Sequence, residues 1–453
     1  MKYSKIMAAI NKELGIESSM SSSMIDAIEL WSLMYENKSP WISKTVKGGS
    51  YPAAIATEIA RLTTLELVSE VSCTNKNRQE YINEIYKNKV LSKLRTQTEY
   101  ACAKGGLVFK PYTNNGQIEV QFIQADDFFP ISWDNSENIT MCAFVEQTKV
   151  GKDWYTKIEI HSLNNGSVHV KNICYKSKSN KMLGSKVSFA DVSKWADIAD
   201  EADLIGIDRL PFGYFKMPIA NTIDTKSPLG VSVYSRAVQK LKEADERESQ
   251  IDWEYRSKET AVHIAESLLR FNAETGKHEY PNSDDRLYRK IEYNSGAVDK
   301  PLLDVFSPEI RDQSLYNGLN NLLREIEFLC CLAYGTLSNP ENIDKTAEEI
   351  RSSKQRSYTT ISDTQLSLQK ALIDLVHSMD YWCTIEHIAP EGKCEVSFDW
   401  DDSIIVDPEL ERKQDREDVA MGAMSIVEYR MKWYGEDEET AKENVPQTAE
   451  VME

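Results

Sequence analysis

Apolar positions along the chain recur first at helical and then at strand spacing. After a polar SSMSSSM stretch, Met24, Ala27, Ile28, Trp31 and Met34 mark one face of a short amphipathic helix. Two more helices are expected near 52–69 and 78–104. The second carries Tyr81, Ile85, Leu91, Leu94 and Ala101 on a broad apolar stripe, and TNKNRQE (74–80) before it supplies a turn and cap. The period changes at Gly105-Gly106. Leu107–Tyr112 and Gln117–Ile123 alternate like strands, and Asn115-Gly116 between them is a hairpin signal. Further strands are expected at 140–149, 155–162, 167–175 and 211–217, with a turn at Asn164-Asn165-Gly166. Residues 105–217 thus predict a mainly β unit, interrupted by a loop rich in Lys and Ser at 176–186.

Helical spacing then returns. A helix is expected from Pro228-Leu229-Gly230 to about Thr260, followed by a small mixed segment at 262–306. Ser307-Pro308-Glu309 opens another helix, since Ser caps, Pro is tolerated at the first position and Glu suits the positive end of the dipole. Its stripe is Leu315, Leu319, Leu322, Leu323, Ile326, Leu329 and Ala333, and it ends at Gly335. Beyond the loop 336–345, Thr346 and Glu349 form a capping-box pattern that starts a helix running to about Thr384, roughly 58 Å if straight. Its apolar positions Ile361, Leu368, Leu372, Leu375, Met379 and Trp382 suit a helix packed along a large domain, with a coiled-coil seam as the alternative. A strand follows at Cys394–Trp400. The tail is acidic and helical, with a second capping box at Ser425 and Glu428, and is expected to be disordered from Pro446.

Composition narrows this α+β reading. The chain has 453 residues, 41% hydrophobic and 28% charged, enough for two to four compact units around a substantial core. No apolar run approaches the roughly 18 residues a membrane span needs. Lys12 and Glu13 interrupt the place where an export signal would need its apolar stretch, which argues against export. The eight cysteines form no CxxC pair and are expected to be reduced, mostly buried thiols. The six histidines show no metal-ligand spacing, so neither a metal nor a cofactor is expected. A net charge of −19 argues against a protein that grips nucleic acid but allows one that DNA slides past.

Catalytic motifs are missing. There is no GxxxxGK[ST] phosphate loop, no GxGxxG and no GxSxG. Asp126-Asp127 and Asp401-Asp402 are adjacent, so on strands the members of each pair face opposite sides and make poor acid/base dyads. The residue chemistry by itself predicts a large structural or binding protein. An enzyme with unfamiliar motifs stands as a rival reading.

Three stretches together resemble the portal protein family of tailed phages that infect Gram-positive bacteria. Thr346-Ala-Glu-Glu-Ile-Arg-Ser-Ser-Lys354, followed by Thr359-Thr360-Ile361 and Gln365, is similar to the start of that family's long wing helix. Val396-Ser-Phe-Asp-Trp-Asp-Asp-Ser-Ile-Ile-Val-Asp407 looks like its closing wing strand and turn. Met424-Ser-Ile-Val-Glu-Tyr-Arg-Met431, with Gly435-Glu-Asp-Glu-Glu-Thr-Ala-Lys442, resembles its crown helices. The resemblance implies a dodecameric ring at one capsid vertex, non-enzymatic, through which double-stranded DNA enters and leaves. It implies a wing at 1–229, a first stem helix at 230–260, a clip at 261–306 and a second stem helix at 307–335. It further implies a tunnel loop at 336–345, the wing helix and closing strand at 346–402, and a crown and tail at 403–453.

The same resemblance implies roles for particular residues. Thr336, Leu337, Ser338, Asn339, Pro340, Glu341, Asn342, Ile343, Asp344 and Lys345 would face the DNA as a flexible collar. Glu246, Arg247, Asp252, Arg256, Leu322 and Ile326 would meet the neighbouring subunit or the channel. That placing suits a helix that is polar nearly all round from Glu243 to Glu259; a solvated surface helix in a monomer is the plainer alternative. Phe271, His278, Tyr280, Arg286 and Tyr288 of the clip would dock partners. Those partners would be the terminase large subunit and then the head-tail adaptor, with the major capsid and scaffolding proteins around the ring and no membrane. The protein would pass from the host cytoplasm into the virion.

Overall fold

A computed structural model describes residues 2–15, 20–258, 261–265, 270–274, 276–279, 288–291, 303–306, 309–339, 347–400 and 408–445. Three helices open the chain: α1 (Lys2–Leu14), α2 (Ser22–Tyr35) and α3 (Tyr51–Thr64). The Ser21 hydroxyl accepts the Met24 N–H at 3.3 Å, which starts α2 and turns Met24, Ile28, Trp31 and Met34 into the core. The pattern of α1, with Ile6, Met7 and Ile10 buried, is short and half polar, and hydrophobic spacing alone does not single it out.

The helix expected over 52–69 ends at Thr64, and Leu67–Cys73 is a strand, β1. Val68 and Val71 favour that conformation, but the decisive partner is Cys394–Trp400 at the other end of the chain. These two strands pair antiparallel, and Cys73 lies opposite Cys394 and is joined to it by a disulfide. The expectation of eight reduced thiols therefore fails at this pair. Cys102, Cys142, Cys174, Cys330 and Cys383 are free and buried, and Cys331 is free and partly buried.

The helix expected over 78–104 is interrupted. Asn75 caps α4 (Lys76–Ile85), a π turn occupies Tyr86–Val90 and a 3₁₀ turn Leu91–Lys93, and α5 (Leu94–Lys104) resumes. Tyr86 is fully buried with its hydroxyl 2.9 Å from Ser69 Oγ on β1, and Val90 and Leu94 are buried beyond the interruption. Gly105, at φ +94°, ends α5.

Six strands come next: β2 (Gly106–Asn114), β3 (Gln117–Gln124), β4 (Phe128–Trp133), β5 (Ile139–Val150), β6 (Asp153–Asn164) and β7 (Ser167–Ser177). Asn115 and Gly116 both have positive φ, as the two-residue hairpin turn requires. The segment from 185 to 216 adds β8 (Ser185–Val187), β9 (Glu201–Ile205) and β10 (Gly213–Lys216). One sheet has the order β10-β2-β3; the other runs β4-β5-β6-β7-β8, with β9 also on β7. A small satellite core of Tyr155, Cys174, Phe189, Val192 and Trp195 seats the loop beyond β8.

Residues 228–234 are not helical. The Val233 N–H bonds to the Cys102 carbonyl at 3.0 Å, and Gly230 passes so close to Gly105 that a Cβ on Gly230 would sit 2.1 Å from the Gly105 oxygen. This crossing holds the segment extended, and α6 begins only at Val238, running Val238–Ser257. Short strands follow: β11 (Ala261–Ala265), β12 (Arg270–Asn272), β13 (Lys277–Glu279), β14 (Tyr288–Ile291) and β15 (Leu303–Phe306). The next helix, α7, is Asp312–Leu329, shorter at both ends than the expected 307–335.

Helix α8 (Ala347–Ile385) crosses the middle of the molecule. Ile361, Leu368, Leu372, Leu375 and Met379 are buried against β2, β10 and α3, so the seam packs on its own chain. A Cβ on Gly213 would meet the Ala371 carbonyl at 2.0 Å, so glycine is required where β10 touches α8. Strand β16 (Cys394–Trp400) has the bounds its pattern predicts. Buried Arg78 joins α4 to the end of α8, with Nη2 donating to the Asp380 carbonyl at 2.8 Å and to Thr384 Oγ1 at 2.6 Å. The tail forms α9 (Pro408–Met421), α10 (Ile426–Tyr434) and α11 (Glu438–Glu443), with the Ser425–Glu428 capping box present. The capping residue Thr346 and the stretch from Pro446 lie outside the described residues.

The disulfide joins residues separated by 321 positions, so it removes chain entropy from the unfolded state, worth about 2–4 kcal/mol. Cys394→Ser is expected to lower the urea midpoint of the purified oxidised protein, and a reductant should lower the wild type to the same value. A wild type indifferent to reductant would show that the bond contributes nothing.

Candidate functional site on the helical hairpin

Helices α6 and α7 run antiparallel as a hairpin. Near the body, Lys240 Nζ lies 2.8 Å from Glu325 Oε2; at the far end, Glu254 meets Arg311. The chain between the far ends carries a small sheet of order β14-β11-β15, in which β11 and β14 are parallel, and the β12–β13 hairpin. The hairpin therefore ends in a β tip.

One buried carboxylate clamps the far end of the hairpin, and another fixes the chain that leaves α7. Glu254, 6% exposed, accepts Arg311 Nε at 3.1 Å and Nη2 at 3.0 Å and pairs with Lys258 at 2.7 Å. The Arg311 and Lys258 hydrogen bonds pull its pKa from 4.5 down to about 2. Glu327 is fully buried near the body. Its Oε1 accepts the N–H groups of Gly335, Leu337 and Ser338 at 3.1, 2.6 and 2.9 Å, and its Oε2 accepts the Ser338 hydroxyl at 2.8 Å. Asn320 continues the staple, accepting the Asn339 N–H at 2.7 Å and donating to the Asn339 carbonyl at 3.3 Å.

This staple changes the reading of the loop after α7. Residues 336–339 are fixed along the helix rather than free. Ser338 is 4% exposed and cannot face DNA, and Leu337 packs against the core; Thr336 and Asn339 are exposed. Pro340, Glu341, Asn342, Ile343, Asp344 and Lys345 lie outside the described residues. An acid in an apolar stripe, as Glu327 is beside Leu323 and Ile326, was the available signal for the staple.

The polar face of α6 is also largely committed within the chain. The segment 41–49 and Tyr51 lie along it: Trp41 Nε1 and the Gly49 N–H donate to Asp245, each at 2.8 Å, the Tyr51 hydroxyl donates to Glu248 at 3.1 Å, and Lys47 Nζ to Asp252 at 2.9 Å. Asp252 also pairs with Arg256 at 3.1 Å. Glu246 lies near Lys242, and Arg247 is exposed. Leu322 and Ile326 are corrected: both are enclosed by their own chain, Ile326 completely, and so are not contacts for a neighbour. Phe271, His278 and Tyr288 fall in β12, β13 and β14, with Phe271 opposite His278; Tyr280 and Arg286 lie outside the described residues.

Another ionisable cluster is interior. Lys110 on β2 pairs with Glu159 on β6, which also accepts His161 Nε2 at 2.7 Å and lies 3.5 Å from Lys157. Burial resists ionisation of Glu159, but Lys110 and His161 hold its pKa well below the usual range; burial lowers that of His161 and keeps the ring neutral. The cluster ties the two sheets together. Asp126 is bonded to Lys104 at 2.7 Å, and Asp401-Asp402 lies outside the described residues. Among the described residues no group of three or more His, Cys, Asp or Glu side chains could hold a metal ion, and no helix is long and apolar enough to cross a membrane.

The described residues thus form an α+β body with a clamped hairpin that ends in a β tip. The chain belongs to the family described as phage portal protein, SPP1 Gp6-like, whose sequence profile matches residues 51–425. The family is structural rather than catalytic and places the chain among phage capsid components. No curated protein matches the chain.

The Glu254 clamp has a defined pH dependence. Its carboxyl titrates near 4.5 in the unfolded chain and near 2 when clamped, so its stabilisation is complete above pH 4.5 and is lost as pH falls toward 2. Glu254→Gln is expected to unfold more readily at neutral pH and to show a shallower loss of stability on acidification. Parallel acid profiles for the two proteins, measured by urea unfolding, would refute the clamp.

Proposed function

We propose that this chain is one subunit of a dodecameric ring that forms the DNA channel at one capsid vertex. The observation that supports it most is the α6/α7 hairpin: it projects from the body with a β tip, in a chain whose family is that of phage portals. In this reading the wing is 1–229, closed by 346–402, and the stem helices are 230–260 and 307–335. The clip at 261–306 docks the terminase large subunit during packaging and the head-tail adaptor afterwards. The crown and tail are 403–453, and the major capsid and scaffolding proteins surround the wing. The motor's ATP chemistry belongs to the terminase.

Negative-stain imaging of the purified protein tests this directly. Particles with a central hole are expected. A rod or plate would favour a tail or baseplate protein, and a small compact particle would rule out the ring under those conditions.

The loop 336–345 has Glu341, Asp344 and Lys345, a charge of about −1 per subunit, and ring symmetry would repeat this weak repulsion around the bore. In the proposed channel the loop beyond Ser338 touches DNA without holding it. Asn339→Lys with Asn342→Lys is expected to leave ring assembly and terminase binding intact, because the bonds from Asn339 to Asn320 are made by its backbone. DNA packaged per procapsid should slow, most severely at low salt. Unchanged kinetics at low and high ionic strength would remove this loop from the DNA path.

A further inference from the structure

The far end of the hairpin carries two unlike apolar patches on opposite faces. The first is a shelf. On α6, Tyr255 follows Ile251 by four residues; on α7, Tyr316 precedes Asn320 and Leu323 by four and seven. Both tyrosines therefore continue stripes that are buried nearer the body, yet they are 40% and 48% exposed. They lie beside one another with Asp312 against them, and Ile310 is exposed close by in sequence. The second patch is Trp253, 68% exposed. Its flank is Arg256, one turn further on, with a side chain 62% exposed.

Trp253 and Tyr255 are two residues apart on one helix. That is a rotation of about 200° and a rise of about 3 Å, so the patches look away from each other at nearly the same height. A solvated helix has no need of a tryptophan at the centre of its polar face, where Glu246 and Gln250 are its neighbours.

We infer that the two patches are the two halves of one head-to-tail contact between copies of this chain: Trp253 of one subunit packs on the Tyr255–Tyr316 shelf of the next. The charges agree, since Arg256 beside the tryptophan would come to face Asp312 beside the shelf. Such a head-to-tail contact builds a ring when its rotation closes and an open filament when it does not. This inference rests on the ring proposed above and names the residues that would join it in the stem. It replaces Leu322 and Ile326, which the single chain already encloses.

Cysteine cross-linking tests it. Chains carrying Trp253→Cys and chains carrying Tyr316→Cys are expressed separately and together, oxidised with copper phenanthroline, and run on denaturing gels without reductant. A cross-linked dimer is expected only from the co-expressed pair, and a ladder of multimers from the double variant. Trp253→Ala should raise the concentration needed for assembly by about tenfold or more, as loss of an interface tryptophan does. Rings from wild-type protein with no cross-link in the co-expressed pair would overturn this contact and leave the ring standing. A dimer from Trp253→Cys alone would mean a two-fold contact and would also overturn it. No assembly by the wild-type chain would overturn the ring, and this inference with it.

Discussion

A two-helix hairpin that extends past its own core keeps its shape only if something besides apolar burial ties the helices together. Here Glu254–Arg311 and Lys240–Glu325 tie one helix to the other, and a further carboxylate fixes the chain beyond them. Glu254 holds α6 to the start of α7 through Arg311, and Glu327 holds the end of α7 to the chain that leaves it. A carboxylate in such a place is costly unless its oxygens are filled, and each of these has several donors. Glu254 receives two cationic side chains and Glu327 three backbone N–H groups and a hydroxyl. Glu254 thus fixes the far end of the hairpin, and Glu327 fixes the segment after Gly335.

The body must resist what the hairpin transmits, and it does so by closing the chain on itself. Strand β16 returns to β1, buried Arg78 grips the end of α8, and the disulfide lies where those elements meet. Helix α8 passes under β10 and β2 with its apolar stripe inward. The interior cluster of Lys110, Glu159, His161 and Lys157 joins the two sheets where an apolar core would slide. The hairpin leaves this body just after the Gly105–Gly230 crossing, where backbone lies on backbone with no room for a side chain.

Elements whose cause is local were legible in the sequence. The Asn115-Gly116 turn, the long helix ending near Ile385 and the Ser425–Glu428 cap depend on residues a few positions apart, and the strand Cys394–Trp400 shows in its own alternation although its partner is distant. What was missed has distant causes. Strand β1 exists because of a partner more than three hundred residues away, and the disulfide follows from that pairing. Residues 228–234 carry apolar side chains that suit a helix, but the Val233 N–H is claimed by the Cys102 carbonyl and the Gly230 N–H by the Tyr214 hydroxyl. At the hairpin, the stripe of Leu322 and Ile326 was readable as a buried face; whether the same chain or a neighbour covers it is a tertiary fact. The part of the site outside the stripes, Trp253 above all, gave no periodic signal because it breaks a polar face instead of forming an apolar one.

Charge shows the same division between composition and placement. A chain of net charge −19 invites the view that its acids line whatever DNA passes. On α6 the acids are spent elsewhere: Asp245, Glu248 and Asp252 bind the 41–51 segment, and Glu254 binds Arg311. An acid paired with a cation at contact distance presents little net field a Debye length away, about 8 Å at physiological salt. Asp252, paired with Lys47 and Arg256, and Glu254, paired with Lys258 and Arg311, are cancelled in this way, whereas Asp245 and Glu248 meet neutral donors and keep their charge. The acid-rich sequence of α6 is first a fastening for the N-terminal segment, and any repulsion felt by DNA must come from acids that have no cationic partner.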